Sequence, residues 1–344
     1  MQLFDKRANR VRTTRAAKFL SAIALLLIGT VCTASSAFAT IVIPTAERQV
    51  LTTLYNVTNG ARWTDATGWG GAAGTECKWK GIQCVQTGRC VILLTGGTRC
   101  PGHISQIDLS ENNLMGEFQL VYLNGLPYLS SLDVSVNHLY GTIPDFSQTA
   151  LTQFDADNNI LGGGIPTLIA SLQEFSAEHN QLTGSIPPLQ GLPNLGIFVV
   201  ADNRLTGQLP SLAGMPALGV FSVWGNQLSG TIPAFGTSAQ LITVSLSRNQ
   251  LTGSIPSLAG LVNLEGFEAE SNQLTGSIPP LASLTHLESI RVANNQLTGQ
   301  VPPPPSSGSM HAAWSTLCPN ALSHTTNTAW DFATGSVPWY AGCM

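Results

Sequence analysis

The chain has 344 residues, only 10% of them charged, a formal net charge of −4 and seven cysteines. An acidic balance on so little charge excludes the basic faces that nucleic acids and anionic membranes reward. No apolar run after the first 39 residues is long enough for a membrane-spanning helix.

The first 39 residues stand apart. Lys6, Arg7, Arg10, Arg12, Arg15 and Lys18 make a basic stretch, and Phe19 to Val31 an apolar one. Ala37 and Ala39 then place small residues where a signal peptidase reads them, so 1–39 reads as a signal peptide cut after Ala39. An uncleaved N-terminal anchor is the other reading. Gly29-Thr30-Val31 is a poor lipobox, so Cys32 reads as an apolar residue that leaves with the signal. Nine basic and eighteen acidic residues remain, a net charge of −9. Cys77, Cys84, Cys90, Cys100, Cys318 and Cys343 also remain, and an even count behind a secretory signal implies disulfides. The alternative, a zinc site, lacks any Cys-x-x-Cys pair. The chain is therefore expected to be secreted, extracellular or, in a Gram-negative host, periplasmic.

Residues 40–102 read as an N-terminal cap. Thr45 is placed to cap a helix from Ala46, with Val50, Leu51, Leu54 and Tyr55 on one face and Gly60 as a stop. Trp63, Trp69 and Trp79 follow. Asn56-Val57-Thr58 is a glycosylation sequon.

Residues 103–302 repeat with a period near 23, as apolar-x-apolar-x-x-Asn-x-Leu-x-Gly-x-Ile-Pro. The asparagines are 112, 137, 159, 180, 203, 226, 249, 272 and 295, and the last five intervals are all 23. A fixed period of this size marks a stacked α/β solenoid of nine turns. Apolar-x-apolar is a short strand, one per turn, and neighbouring turns pair into a parallel sheet. The asparagine amide, on a short stem, can bond backbone groups that the bend buries. Gly and Pro suit a tight return, and Gly162-Gly163-Gly164 falls in such a bend. Phe154, Phe175, Phe198, Phe221 and Phe267 are predicted to form an interior spine. Pro302 to Pro305 halt the repeat, and 303–344, with Trp330, Asp331 and Trp339, reads as a C-terminal cap.

Leu-Thr-Gly-Ser-Ile-Pro at 182–187, 251–256 and 274–279 resembles the plant-type leucine-rich repeat of receptor ectodomains and polygalacturonase-inhibitor proteins. The resemblance implies a right-handed superhelix with a concave parallel sheet and a second, smaller sheet. Cys77-Lys-Trp-Lys-Gly-Ile-Gln-Cys84 resembles the paired-cysteine motif of plant N-terminal caps, whereas the Cys90 to Cys100 loop departs from it. Bridges Cys77–Cys84, Cys90–Cys100 and Cys318–Cys343 are expected.

The residues between the inward pairs should face outward, in a column of Asp108, Asp133, Asp155, Ser176, Val199, Ser222, Ser245, Glu268 and Arg291. The next column runs Ser110, Ser135, Asp157, Glu178, Ala201, Trp224, Ser247, Glu270 and Ala293. No Lys or Arg lies between Arg99 and Arg204. Acids crowd that span at 108, 111, 117, 133, 145, 155, 157, 174 and 178, and all but Glu117 and Asp145 map to the sheet face or its edge. Like charges so close repel. Either a basic partner or divalent cation relieves them, or they are a solvated face that aids solubility. Trp224, with Ile197, Val199 and Val220 near it, reads as the centre of a binding patch or as packing against a neighbouring turn. Arg204, Arg248 and Arg291 lie beyond, so the candidate ligand-binding residues are Asp108, Asp133, Asp155, Asp157, Glu174, Glu178, Val199, Val220, Trp224, Arg248, Glu268 and Arg291.

No catalytic constellation is present: no His-Glu-x-x-His, no Gly-x-Ser-x-Gly and no phosphate-binding glycine loop. The histidines show no metal-ligand spacing, and a metal site of His179 with Glu178 and Asp157 is the alternative reading. An open face excludes water too poorly for Asp133, Asp155 and Asp157 to work as a glycosidase pair. The chain reads as a non-enzymatic module without a cofactor that recognises a protein or peptide, with a basic partner the one its acids would suit. An inhibitor of a secreted cell-wall hydrolase and a structural or adhesive surface protein are the alternatives.

Overall fold

The structure is a computed structural model and describes residues 39–93, 97–236, 240–305, 309–341 and 343. The expected signal peptide lies outside the described residues except for Ala39, which opens the strand Ala39–Val42.

Each turn gives one strand to a long sheet: Thr98–Asp108, Ser131–Asp133, Gln153–Asp155, Glu174–Ser176, Ile197–Val199, Val220–Ser222, Thr243–Ser245, Gly266–Glu268 and Ser289–Arg291. Successive strands pair in parallel, in chain order. The central residue of each strand points inward, so Leu132, Phe154, Phe175, Phe198, Phe221, Val244, Phe267 and Ile290 are buried. Phe154, Phe175, Phe198 and Phe221 stack with centroids 5.3, 5.8 and 5.8 Å apart. That spacing follows from turns about 4.8 Å apart carrying slightly offset rings.

The asparagines bind the turns together. Asn203 accepts from the Leu182 amide at 2.9 Å, and its own amide donates to the carbonyls of Ala177 (2.9 Å), Val200 (3.2 Å) and Ala201 (3.0 Å). Asn180, Asn226, Asn249, Asn272 and Asn295 repeat this pattern, each reaching one turn back. The residue before each of these asparagines has positive φ, and it is Val136 (φ 54°) before Asn137. A β-branched residue is strained there.

On the opposite side lie short parallel sheets, Met115–Glu117 with His138–Thr142 and Ile160–Gly162, then Ser229–Thr231 with Gln250–Ser254 and Gln273–Thr275. This is the smaller sheet that the resemblance to plant-type leucine-rich repeats implies, in separate pieces. Hydroxyls of Thr206, Ser229, Thr252 and Thr298 donate to the glycine carbonyl of the preceding turn at 3.3 to 3.4 Å.

Both caps contain the expected bridges, Cys77–Cys84, Cys90–Cys100 and Cys318–Cys343. The helix Thr45–Val57 buries Val50, Leu51 and Leu54, as its periodicity predicts. Thr45 does not cap it: Pro44 takes the N-cap position without a side-chain bond, its fixed φ of −59° setting the extended approach. The helix also ends at Val57, short of Gly60. Gly60 has another role, because a Cβ there would lie 2.1 Å from the Tyr55 ring. Glu47 is buried on the helix and accepts from the Ile104 amide at 2.8 Å, with His103 Nδ1 2.5 Å away. Trp63, Trp69 and Trp79 pack in one cluster with Tyr55.

The C-terminal segment holds an unanticipated tenth turn. Ser315-Thr316-Leu317-Cys318-Pro319-Asn320-Ala321-Leu322 follows the repeat with serine in the first inward position. Thr316 bridges to Arg291, Asn320 accepts from the Leu297 amide at 3.0 Å, and Ala321–Ser323 pairs with Thr298–Gln300. Trp330 is buried behind it and donates to the Pro302 carbonyl at 2.9 Å.

Asn203→Ala leaves the Leu182 amide buried without a partner, while the Ala177 carbonyl keeps Asn180 at 3.3 Å and the Val200 carbonyl keeps Asn226 at 2.9 Å. At about 1–3 kcal/mol for one unsatisfied group, the expected loss is about 2 kcal/mol in denaturant unfolding. Val136→Asn relieves the positive-φ strain and is expected to gain about 1 kcal/mol in the same measurement.

Candidate ligand-binding face

The residues flanking each inward side chain face away from the core. Strand register aligns the expected column without a slip: Asp108, Asp133, Asp155, Ser176, Val199, Ser222, Ser245, Glu268, Arg291. A parallel column holds Glu174, Ile197 and Val220 in adjacent strands. Arg204 is not part of this face, because it follows the ladder asparagine Asn203 onto the opposite side, where its amide bonds the Leu182 carbonyl.

At the N-terminal end the carboxylates are held by their own chain. Asp108 accepts from the Ser110 amide (3.2 Å) and hydroxyl (2.8 Å), and Asp133 from those of Ser135 (2.9 and 2.6 Å). Asp155 accepts from the Asp157 amide at 3.0 Å. Asp157, only 3% exposed, accepts from the Ser176 hydroxyl at 2.6 Å and the Glu178 amide at 2.7 Å. These bonds to carboxylates offset the repulsion that the sequence implies. Burial nonetheless pushes the Asp133 carboxyl above its usual range; the Ser135 hydrogen bonds oppose that shift, and the charges of Asp108 and Asp157 add to it.

The middle of the face is apolar and closed. Ile197, Val199, Ala201 and Val220 form a buried cluster separate from the main core, with the half-buried Trp224 packed against it. Val199 and Val220, expected as exposed binding residues, are therefore floor residues. Strands one turn apart bring their outer side chains close enough to shield one another. Arg248 places its guanidinium 6.0 Å from the centroid of the Trp224 ring, and His179 meets that ring edge-on at 6.1 Å. His179 Nδ1 lies 2.8 Å from Asp202. The suggestion that His179 joins Glu178 and Asp157 at a metal is thus corrected: its partner is an acid in the same bend position one turn on. Among the described residues no group of three or more His, Cys, Asp or Glu side chains is arranged to hold a metal.

At the C-terminal end Glu268 accepts from the Ser245 hydroxyl at 3.2 Å and lies 3.9 Å from Arg291. Glu270 takes the Thr316 hydroxyl, and its amide donates to the Ser247 hydroxyl at 3.0 Å. Two buried polar atoms of the outer column have no partner, Ser222 Oγ at its middle and Arg291 Nε at this end. Asp202, Ser222 and Glu270 matter here and were not among the candidates. Asp202 shares the bend position of His179, which a column-by-column reading shows, but an unsatisfied hydroxyl leaves no mark in a sequence.

The Leucine Rich Repeat family model matches residues 240–261. The chain has the fold of a leucine-rich-repeat solenoid. Among solved structures this solenoid is similar to the Arabidopsis receptor kinase HAESA ectodomain bound to the IDA peptide hormone, at 25% identity and TM-score 0.57, over 81% of this chain and 50% of that one. It is also similar to the Arabidopsis thaliana GASSHO1/SCHENGEN3 ectodomain in complex with CASPARIAN STRIP INTEGRITY FACTOR 2, at 26% identity and TM-score 0.61, over 82% and 36%. The solenoid thus spans half or less of those receptor chains. A plant ice-binding protein, at 21% identity and TM-score 0.63, aligns over 85% of this chain and 93% of that one, a likeness of fold. No curated protein matches the sequence.

Because the Asp133 carboxyl is raised on folding, the folded state holds its proton more tightly than the unfolded one. Its ionisation therefore destabilises the solenoid above the raised value, and the penalty fades as pH falls towards the ordinary carboxylate range. Asp133→Asn, which keeps an acceptor for Ser135, is expected to raise the melting temperature at pH 7. The gain should vanish near pH 3, below the usual aspartate value of about 3.9.

Proposed function

We propose that this solenoid is a secreted binding protein that takes a protein or peptide partner, basic in character, across the outer face of its long sheet. The observation that carries this reading is the row of carboxylates at 108, 133 and 155, fixed in one register by hydrogen bonds to their own turns. Fixed charges of one sign steer an oppositely charged partner and set its register. The HAESA ectodomain, similar in fold, is in complex with the IDA peptide hormone, and that of GASSHO1/SCHENGEN3 with CASPARIAN STRIP INTEGRITY FACTOR 2. Disulfides at both ends suit an oxidising, extracellular setting. Among the described residues no helix is long and apolar enough to cross a membrane.

The test is an array of peptides graded in charge, probed with the mature protein. Basic peptides are expected to bind, with affinity falling as salt rises. The triple variant Asp108→Asn, Asp133→Asn, Asp155→Asn should lose about tenfold in affinity and most of the salt dependence. Equal binding of neutral and basic peptides, or an unaffected triple variant, counts against the assignment.

A further inference from the structure

We infer that the centre of this face is an anchor subsite for one apolar side chain of an extended peptide, with basic residues on both sides of it. This deepens the peptide reading above and depends on it. The subsite is the half-buried ring of Trp224, seated on the closed floor of Ile197, Val199, Ala201 and Val220, a second apolar cluster on the outward side of the sheet. Apolar side chains gathered outside the core, under a half-buried tryptophan, have the composition of an interface centre.

A second observation, independent of the apolar patch, points to a ligand. Ser222 lies in the outer column between Val199 and Ser245, is fully buried, and its hydroxyl has no hydrogen-bond partner. An unsatisfied buried hydroxyl is a standing penalty that a partner removes. A peptide backbone crossing the strands supplies both a donor and an acceptor to that hydroxyl once the side chains covering it move aside.

Charge complementarity names the flanks. Along the Ser222 column the next acid on the N-terminal side is Asp155, three strands away, and on the C-terminal side Glu268, two strands away. At about 4.8 Å per strand these lie about 14 and 10 Å from the anchor. An extended peptide rises about 3.3 Å per residue and alternate side chains face the sheet, so it meets both acids with long side chains about four positions from the anchor. The ligand class is therefore a peptide with one large apolar residue and Lys or Arg about four residues to either side.

The probe is a pair of dye-labelled Gly/Ser peptides with arginine four positions from the centre on each side, one with Phe at the centre and the other with Gly. Fluorescence anisotropy is expected to show the Phe peptide binding about tenfold tighter or more. Trp224→Ala should abolish that difference. Ser222→Ala should weaken the Phe peptide about threefold while leaving the melting temperature unchanged or higher, since it removes an unsatisfied group. That variant keeps the inference testable even if Trp224→Ala folds poorly. Equal binding of the two peptides overturns the anchor and leaves the acidic face as a peptide site. Binding of neither peptide, while basic peptides on the array bind, also overturns the inference alone. Binding of no basic peptide anywhere removes the peptide reading itself.

Discussion

The asparagine amide in each bend is the interaction on which the rest of this solenoid depends. One side chain satisfies two carbonyls of its own turn, a carbonyl of the turn before and an amide of the turn before. It thereby couples local bend geometry to the spacing between turns. Intervals between ladder asparagines range from 21 to 25 residues, yet the bonding survives at each. Length differences are absorbed in the return segments, and the long sheet keeps its register.

That register gives the outer face its character. With every strand fixed against the next, a residue type at one outer position faces its counterpart in the neighbouring turn without slippage. Three consecutive aspartates therefore stand side by side at 108, 133 and 155. The fold tolerates them because Ser110, Ser135 and Asp157 donate backbone amides two residues on. The same closeness buries Val199 and Val220. Small or branched side chains on adjacent strands cover one another, and Trp224 completes the cover. A face that is open in outline is thus close-packed at its centre.

Most of the architecture was legible in the sequence, because each turn repeats the same physical demands. The period, the inward phenylalanines and the outer columns follow from residue types at fixed spacing, and the Cys77–Cys84 bridge from the resemblance to plant N-terminal caps. What escaped the reading depends on contacts between turns. Asp157 looks like one more surface acid until Ser176 and the Glu178 amide close over it. His179 has two acids near it in sequence and pairs with a third, Asp202, in the next turn. The tenth turn hid because Ser315 replaces the first apolar residue and a proline run separates it from Asn295. Its serine hydroxyl accepts from the Ile290 amide at 3.2 Å, a polar substitute for an inward side chain at the end of the stack.

The two sides of the solenoid carry different burdens, and this decides where recognition can reside. On the side opposite the long sheet, hydroxyls at 206, 229, 252 and 298 bond the turn before, so the Leu-Thr-Gly segment is repetitive for structural reasons. Variation there would disturb the stack. On the long-sheet side the ladder and the core already hold the turns, and outer residues change from acid to valine to serine to arginine along one column. That freedom ends where the stack ends. Thr316 of the tenth turn bridges to Arg291 and donates its hydroxyl to Glu270, so the cap borders the face as well as covering the core. The outer column therefore runs from Asp108 through Arg291 to Thr316 and ends against the cap.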